Sequence, residues 1–311
     1  MNHSLKLIRT QLIVVALLFC LLFSLIIPIA NADSLVNGEI NAKEIMKLGV
    51  EKLQNMDYSG AIGRFSQAIE INPQYSAAYS NRCLAFLNLQ QYQNAVSDCN
   101  QAINLTPNNI EAYINRGIAY YRQNNYLAAM EDNNRAIALK PNDFRAYYNR
   151  GVAIASLEKH QEAISDYHLA LSLIPATQNS LIADIYNDLG LAKFHLNNIK
   201  SATDNFTLAI RLNPQDSRAY FNRGCTVGKN GDNFGAIRDF SNTVHLNPSN
   251  TQAYVNRGIA YHRLGYEQAA ISDLQTAATQ FGQQRQQIPY QKTIDLIKAV
   301  QKQISAIAQT G

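Results

Sequence analysis

The sequence has little charge and no block of it. Of the 311 residues only 16% are Asp, Glu, Lys or Arg, and no run of like charge occurs. The 27 basic and 23 acidic residues leave a formal net charge of +4, which creates no strong field for nucleic acid. With 47% apolar residues, a disordered or collagen-like chain is also excluded. We therefore expect a folded protein that does not bind nucleic acid.

The sequence also lacks the motifs of common catalytic and metal sites. No GxGxxG, Walker, HExxH or GxSxG pattern occurs, and neither CxxC pairs nor a Cys/His cluster with ligand spacing is present. These absences predict a non-catalytic protein without a cofactor or a metal ion. An enzyme or a regulatory subunit is the alternative with the least support.

One long apolar run lies at the N-terminus. Lys6 and Arg9 precede an unbroken apolar stretch over 12–23, and Ala30-Asn31-Ala32 follows Pro28. A basic start, an apolar centre and a small-x-small end are typical of a cleaved secretory signal peptide, here 1–32. Because the run is close to the roughly 18 to 20 residues of a spanning helix, a retained N-terminal membrane anchor is the alternative. The cleaved form predicts export to the periplasm, the thylakoid lumen or the cell exterior.

Prolines are few, and six of the eight recur at nearly constant spacing. The intervals are 34, 34, 34, 39 and 34 residues, between Pro73, Pro107, Pro141, Pro175, Pro214 and Pro248. Aligning the chain on them gives seven units, each numbered here as places 1 to 34. The units start at Ala42, Ser76, Ile110, Phe144, Ala183, Ser217 and Thr251. A period of this length predicts a stack of identical supersecondary units.

Within the units, small residues recur where two helices would cross. Places 8, 20 and 27 hold Gly or Ala in nearly every unit, and place 4 holds Tyr in six. Small side chains let helix backbones approach closely, while the tyrosines fill space between units. Gly-Asp or Asn-Asn pairs near place 15 predict a turn between two helices, and the proline at place 32 ends the second helix.

This pattern resembles the tetratricopeptide repeat, most clearly in the stretch AYINRGIAY that begins at Ala112. The resemblance, together with the predicted signal peptide, suggests an exported bacterial protein of the cyanobacterial type. It implies an all-α, right-handed superhelix of seven helix-turn-helix units.

The predicted organisation is a linker over 33–41, units 1 to 4 over 42–177, an insertion over 178–182, units 5 to 7 over 183–282 and a capping helix within 283–311. The cap rests on Ile294, Ile297, Val300, Ile304 and Ile307, which are spaced as one face of a helix. We also expect a local change of superhelical curvature near 175–183.

Arginine at place 7 and aspartate at place 23 vary together. Five units carry both residues, whereas units one and five carry neither. This predicts structural salt bridges between a first and a second helix, in the same or in adjacent units. The predicted residues are Arg82, Asp98, Arg116, Asp132, Arg150, Asp166, Arg223, Asp239, Arg257 and Asp273.

The resemblance implies that first helices line a concave groove in which peptides lie. At place 6, asparagines would offer hydrogen bonds to a peptide backbone: Asn81, Asn115, Asn149, Asn222 and Asn256. The alternative is that asparagine is simply common at this place of the repeat. Place 9 is apolar in all seven units and is not needed for the core, so it should face the groove. Met46 and Ile114 at place 5 stand beside it. The predicted apolar contacts are Ile118, Tyr121, Tyr148, Val152, Leu191, Phe194 and Phe221, with the four aromatic residues as anchors.

Cys83 and Cys99 occupy places 8 and 24 of unit two. They could form a disulfide if their Cα atoms lie within about 7 Å. Two small buried thiols are the alternative that residue type favours.

Together these patterns predict a protein-protein interaction scaffold that binds an apolar or amphipathic peptide segment in the concave groove. We expect it to help assemble an envelope or thylakoid complex. A membrane-tethered assembly factor that retains residues 1–32 is the alternative.

Overall fold

The computed structural model describes residues 41–310, and side chains as far as residue 305. Within that range the chain forms fifteen α-helices and no strand. The helices are α1 Ala42–Gln54, α2 Tyr58–Ile71, α3 Ser76–Asn88, α4 Tyr92–Leu105, α5 Ile110–Arg122, α6 Tyr126–Leu139, α7 Phe144–Ser156, α8 His160–Leu173, α9 Asn179–His195, α10 Ile199–Leu212, α11 Ser217–Lys229, α12 Asn233–Leu246, α13 Thr251–Arg263, α14 Glu267–Gln283 and α15 Gln287–Thr310. The predicted signal segment 1–32 and nearly all of the linker lie outside the described residues.

The first fourteen helices pack as seven consecutive pairs, each with an odd-numbered first helix and an even-numbered second helix. Each second helix also packs on the first helix of the next unit. First helices of neighbouring units contact one another as well. This additional contact places the first helices on the inner, concave side of the stack. The architecture is the all-α solenoid that the sequence predicts.

Helix ends follow from capping residues and prolines. Five first helices begin behind an Asn or Asp whose side chain accepts a hydrogen bond from a backbone N–H of the first turn. Such caps satisfy amide groups that have no partner within the helix. They are Asn41, Asn109, Asp143, Asp216 and Asn250. Four of these caps occupy place 34, two residues after the proline, so that the next first helix starts three residues after that proline.

The turn inside each unit has one left-handed residue, always at place 15. Gly231 and Gly265 adopt it without strain, but Met56, Gln90 and Glu158 also have φ near +60°. The sequence predicted this turn only where Asn or Gly stood there. The left-handed residue is in fact common to all seven units, because two helices of fixed length must reverse direction at the same point.

The predicted insertion over 178–182 lengthens a helix. The first helix of unit five begins at Asn179 and has 17 residues, whereas α7 and α11 have 13 each. Four added residues make about one helical turn, so the added length is accommodated in regular structure.

The last helix, α15, covers the end of the stack. Ile297 and Val300 are buried against Leu274 and Phe281 of α14, and Ile294 and Ile304 pack around them. The apolar face of the seventh unit is therefore not left open to solvent. The side chain of Ile307 lies outside the described residues.

Candidate functional site

The five predicted Arg-Asp pairs form, and each lies within one unit. Every arginine donates from Nε and Nη2 to both carboxylate oxygens of its aspartate, over 2.6 to 2.8 Å. Such two-point contacts fix the geometry of both side chains. The aspartate side chains are only 1 to 10% exposed, so these pairs are part of the packed structure.

The same arginines also join neighbouring units. Nη1 of each donates to a polar side chain at place 25 of the preceding unit, over 2.5 to 3.1 Å. The acceptors are Ser66, Asn100, Asn134, Thr207 and Ser241. Sequence reasoning missed place 25, because Ser, Asn and Thr there do not look alike. Their shared ability to accept a hydrogen bond was the signal that could have revealed them.

The junction of units four and five lacks this link. Leu189 and Asn205 replace the arginine and the aspartate, and place 25 of unit four is His168. Burial and nearby Lys193 lower the pKa of His168. The interface that follows the irregular proline spacing is thus also the one without an arginine link between consecutive units.

The structure overturns the favoured prediction for the cysteines. Cys83 and Cys99 are joined by a disulfide, with their Cα atoms 5.6 Å apart. Both are fully buried. The prediction of two separate thiols was wrong because places 8 and 24 face each other across the helix pair, within the Cα separation that a disulfide allows. Cys225 is the one free cysteine among the described residues.

The asparagines at place 6 lie along the concave side, but they are not equally available for hydrogen bonds to a ligand. Asn222 donates to Asn187 of the preceding first helix at 3.0 Å, and Asn256 approaches Sγ of Cys225 at 3.4 Å. Asn81 donates to the carbonyl of Ala77 in its own helix. Asn115 is buried, with only 6% of its surface exposed. Place 6 therefore faces the preceding first helix as much as the groove, because first helices approach closely on the inner side. The expectation of a uniformly open ladder needs this correction.

The apolar residues at place 9 are partly accessible. Val50, Leu84, Ile118, Val152, Cys225 and Ile259 are half-buried, and Leu191 is 37% exposed. An apolar row that stays accessible inside a solenoid is the kind of surface that proteins use for partners.

The predicted aromatic anchors fall into two groups. Tyr148 packs on Tyr167 with ring centroids 6.1 Å apart, and Phe221 packs on Phe240 at 5.9 Å. These two rings therefore pack between the first and second helices of their own units. Tyr121 lines a cavity of the groove, while Phe194 has Nζ of Lys229 at 4.9 Å from its ring centroid. Tyr121 and Phe194 also pack on rings, those of Tyr126 at 5.6 Å and of His195 at 6.0 Å, so it is the cavity and the exposed Lys229 beside them that favour contact with a ligand.

Place 5 does not line the groove as expected. Met46 and Ile114 are buried, with 8% and 2% of their surface exposed. Tyr148, also at place 5, reaches Asp188 at place 6 of the next unit. Because place 5 points toward the following first helix, an apolar side chain there is covered by it.

Two cavities open on the concave side. The first, called here the unit-4/5 cavity, has a volume of about 190 Å³ and is lined by Tyr121, Val152, His160, Asp188, Leu191 and His195 among others. The second, the unit-6/7 cavity, has about 310 Å³ and is lined by Cys225, Lys229, Asn256, Ile259 and Arg263 among others. Both contain place 9 residues, which links the apolar row to concave pockets.

Two histidine side chains line the unit-4/5 cavity next to each other. The rings of His160 and His195 are stacked, with centroids 4.5 Å apart and planes inclined by 10°. Burial and the neighbouring His195 lower the pKa of His160. Its Nδ1 atom is buried without a hydrogen-bond partner among the described residues.

Asp188 is the acidic group of that cavity. Its Oδ2 accepts a hydrogen bond from the hydroxyl of Tyr148 at 2.9 Å, and its Oδ1 accepts one from Asn187 at 3.4 Å. Burial raises the pKa of Asp188, although these two hydrogen bonds act in the opposite direction. The cavity therefore combines one half-buried carboxylate with aromatic and apolar walls.

A second type of ion cluster ties first helices together. Arg145 donates to Glu111 over 2.7 to 2.8 Å and to Asp143 over 2.7 to 2.9 Å. Arg218 is bound in the same way by Asp184 and Asp216. These arginines are neutralised by two carboxylates each, so they add no free positive charge to the groove.

In the stretch from residue 41 to residue 310, no group of three or more His, Cys, Asp or Glu side chains is arranged to hold a metal ion. None of the helices in that stretch is long and apolar enough to cross a membrane.

Family models of the tetratricopeptide repeat match most of the described chain. One described as "TPR repeat" matches 84–124, and others described as "Tetratricopeptide repeat" match 110–143, 144–177, 183–216 and 223–285. No curated protein matches the chain by sequence.

Solved structures show the same fold at low identity. The chain is similar to one in the APC/C hetero-tetramer Cut9-Hcn1, with 22% identity over 71% of this chain and 43% of that one, at a TM-score of 0.65. It thus spans less than half the length of that protein. PilF of Pseudomonas aeruginosa is 17% identical over 70% of this chain and 95% of its own, at 0.56. MamA of Desulfovibrio magneticus RS-1 is 22% identical over 57% and 98%, at 0.50.

Proposed function

This chain belongs to the tetratricopeptide repeat family, and we propose that its concave surface binds an apolar or amphipathic peptide segment of a partner protein. The family consists typically of non-catalytic scaffolds for protein-protein interaction. One observation carries the proposal. The half-buried apolar row at place 9 runs through both concave cavities, where a ligand could cover it.

We further propose that the protein works outside the cytoplasm, in assembly of an envelope or thylakoid complex. The buried disulfide between Cys83 and Cys99 supports an oxidising compartment, since disulfides rarely persist in the cytosol. The signal-like sequence over 1–32 supports export. If that segment is retained, the protein is a membrane-tethered assembly factor instead. N-terminal sequencing of the exported protein distinguishes the two, because cleavage leaves Asp33 as the first residue.

The groove proposal is tested by affinity purification of the tagged full-length protein from its own cells. The test variant is Tyr121→Ala/Phe194→Ala, which removes the two better-placed aromatic side chains. The control is Leu127→Ala, which removes a side chain that is 62% exposed on the second helix α6. We expect a protein retained by the wild type and the control to be lost from the test variant. Equal recovery of the same proteins by all three would refute the proposal.

A further inference from the structure

We propose that the unit-4/5 cavity holds a lysine or arginine side chain of the bound peptide, paired with Asp188. This inference rests on the proposed peptide-binding function of the groove and specifies the chemistry of one subsite. It follows from the position of Asp188, from its lack of a cationic partner and from the walls of the cavity.

Asp188 occupies place 6, where five other units carry asparagine and unit one carries Lys47. An acidic residue at this place is therefore particular to unit five. Unit five is also the first unit after the irregular proline spacing, and its first helix has the additional turn. The carboxylate lies on the concave side, because it lines a cavity together with Val152 and Leu191 of place 9.

Within residues 41–305, Asp188 forms no salt bridge with a lysine or an arginine. The nearest cationic influence is Arg218, which Asp184 and Asp216 already bind. Asp188 is half-buried. The fully buried aspartates of the described residues are all paired with arginine: Asp98, Asp132, Asp143, Asp166, Asp239 and Asp273. Even partial burial of a carboxylate without a cation costs free energy, so an incoming cation would gain a favourable partner here.

The walls of the cavity fit a basic side chain. Tyr121 and Tyr167 contribute aromatic rings, whose faces attract cations. Val152, Ala155 and Leu191 contribute apolar surface for the methylene stem that precedes the charged group.

Other side chains fit less well. An apolar occupant would cover Asp188 without supplying a counter-charge, and an acidic occupant would face it directly. Either would lose free energy that a basic side chain gains. The charge at the base of the cavity therefore selects among peptides that the apolar row alone would accept.

The test uses a display library of random twelve-residue peptides, selected on the purified exported protein. Three proteins are compared: the wild type, Asp188→Asn, and Asp295→Asn as a control at an exposed aspartate of α15. Asp188→Asn should fold normally, because asparagine occupies this place in five other units and its amide oxygen can still accept from Tyr148. Thermal unfolding checks this.

We expect wild-type and Asp295→Asn selections to enrich peptides with Lys or Arg at one aligned position. Asp188→Asn should lose that preference and bind the same peptides about tenfold more weakly or worse, as when one partner of a desolvated charge pair is removed. Enriched peptides without a basic position, or an unchanged preference in Asp188→Asn, would overturn the subsite but leave groove binding intact. No enrichment on any of the three proteins would overturn both proposals.

Discussion

Gly224 in α11 and Phe240 in α12 lie so close that a methyl group on Gly224 would stand 2.8 Å from Cε1 of the ring. The same relationship joins Gly49 to Phe65, Gly151 to Tyr167 and Gly190 to Phe206. In each pair, a ring at place 24 rests on the helix backbone at place 8. The glycine is required because any larger residue would push the two helices of the unit apart.

We predict that Gly224→Ala lowers the free energy of unfolding by about 1 to 3 kcal/mol, the usual cost of overpacking. Gly63 in α2 is the matched control, since nothing lies within 4 Å of a Cβ placed there. Gly63→Ala should stabilise the helix by about 0.5 to 1 kcal/mol. Urea unfolding measures both. Equal effects of the two substitutions would contradict this reading of place 8.

The disulfide takes the place of this glycine-ring contact in unit two. Reduction should therefore destabilise the wild-type protein, by about 2 to 4 kcal/mol for a typical disulfide. Cys83→Gly/Cys99→Phe copies the arrangement of unit six and should fold with the same helix content. Its unfolding midpoint should not change with reductant. A double variant that fails to fold while the Cys83→Ala/Cys99→Ala variant folds would show that the two arrangements are not equivalent.

We predict that Arg223 and Asp239 can be replaced together at much lower cost than either can be replaced alone. Arg223→Leu alone leaves a carboxylate buried without a cation and should cost about 3 to 5 kcal/mol. Arg223→Leu/Asp239→Asn copies Leu189 and Asn205 of unit five and should recover most of that loss. A double-mutant cycle by urea unfolding gives the coupling between the two sites. Additive losses would mean that the pair does not act as one structural element.

The left-handed turn offers a stabilising substitution. Glu158 has a φ of +61°. This left-handed conformation costs a residue with a Cβ about 1 kcal/mol more than it costs glycine. Glu158→Gly should therefore raise the unfolding free energy by about 0.5 to 1 kcal/mol. Gly265→Ala, at the same place of unit seven, should lower it. A loss of stability in Glu158→Gly would show that Glu158 makes a contribution beyond its backbone conformation.

Acid should weaken the junction of units four and five. Because the folded-state pKa of His160 is lowered by burial and by His195, the unfolded chain binds its proton more readily. Stability from this group is present above the unfolded pKa, near 6.5, and is lost as the pH falls below it. We expect the urea midpoint to fall between pH 7.5 and 5.5 in the wild type and less so in His160→Gln, a range of pH set by the usual pKa of histidine. If the urea midpoints of the wild type and His160→Gln fell equally with pH, His160 would not be the group responsible.

The sequence predicted most of the architecture because seven internal copies act as an alignment. Arg223 and Asp239 could be paired in advance, since both residue types disappear together in units one and five. Outside unit two, the contact between places 8 and 24 escaped notice because Phe240, Tyr167 and Asn133 share only their position opposite a glycine. The turn at place 15 was missed at Met56 and Glu158, where the surrounding fold imposes a conformation that the residue does not favour.

The candidate site was harder to predict than the fold. The apolar character of place 9 could be recognised from the spacing, but the extent to which these residues stay accessible could not. The unit-4/5 cavity could not, since Tyr121, Val152 and Asp188 come from three different units and meet only through the curvature of the stack. For the same reason, the pairing of Tyr148 with Asp188 across forty residues has no local signal in the sequence.

Site-specific photo-cross-linking tests the central claim most directly. A photoreactive phenylalanine replaces either Leu191, which is 37% exposed on the first helix α9, or Leu169, which is 45% exposed on the second helix α8. Irradiation in the native cells should attach a partner polypeptide at position 191 and leave position 169 unmodified. Cross-linking at position 169 alone, or the same product at both positions, would contradict binding in the concave groove.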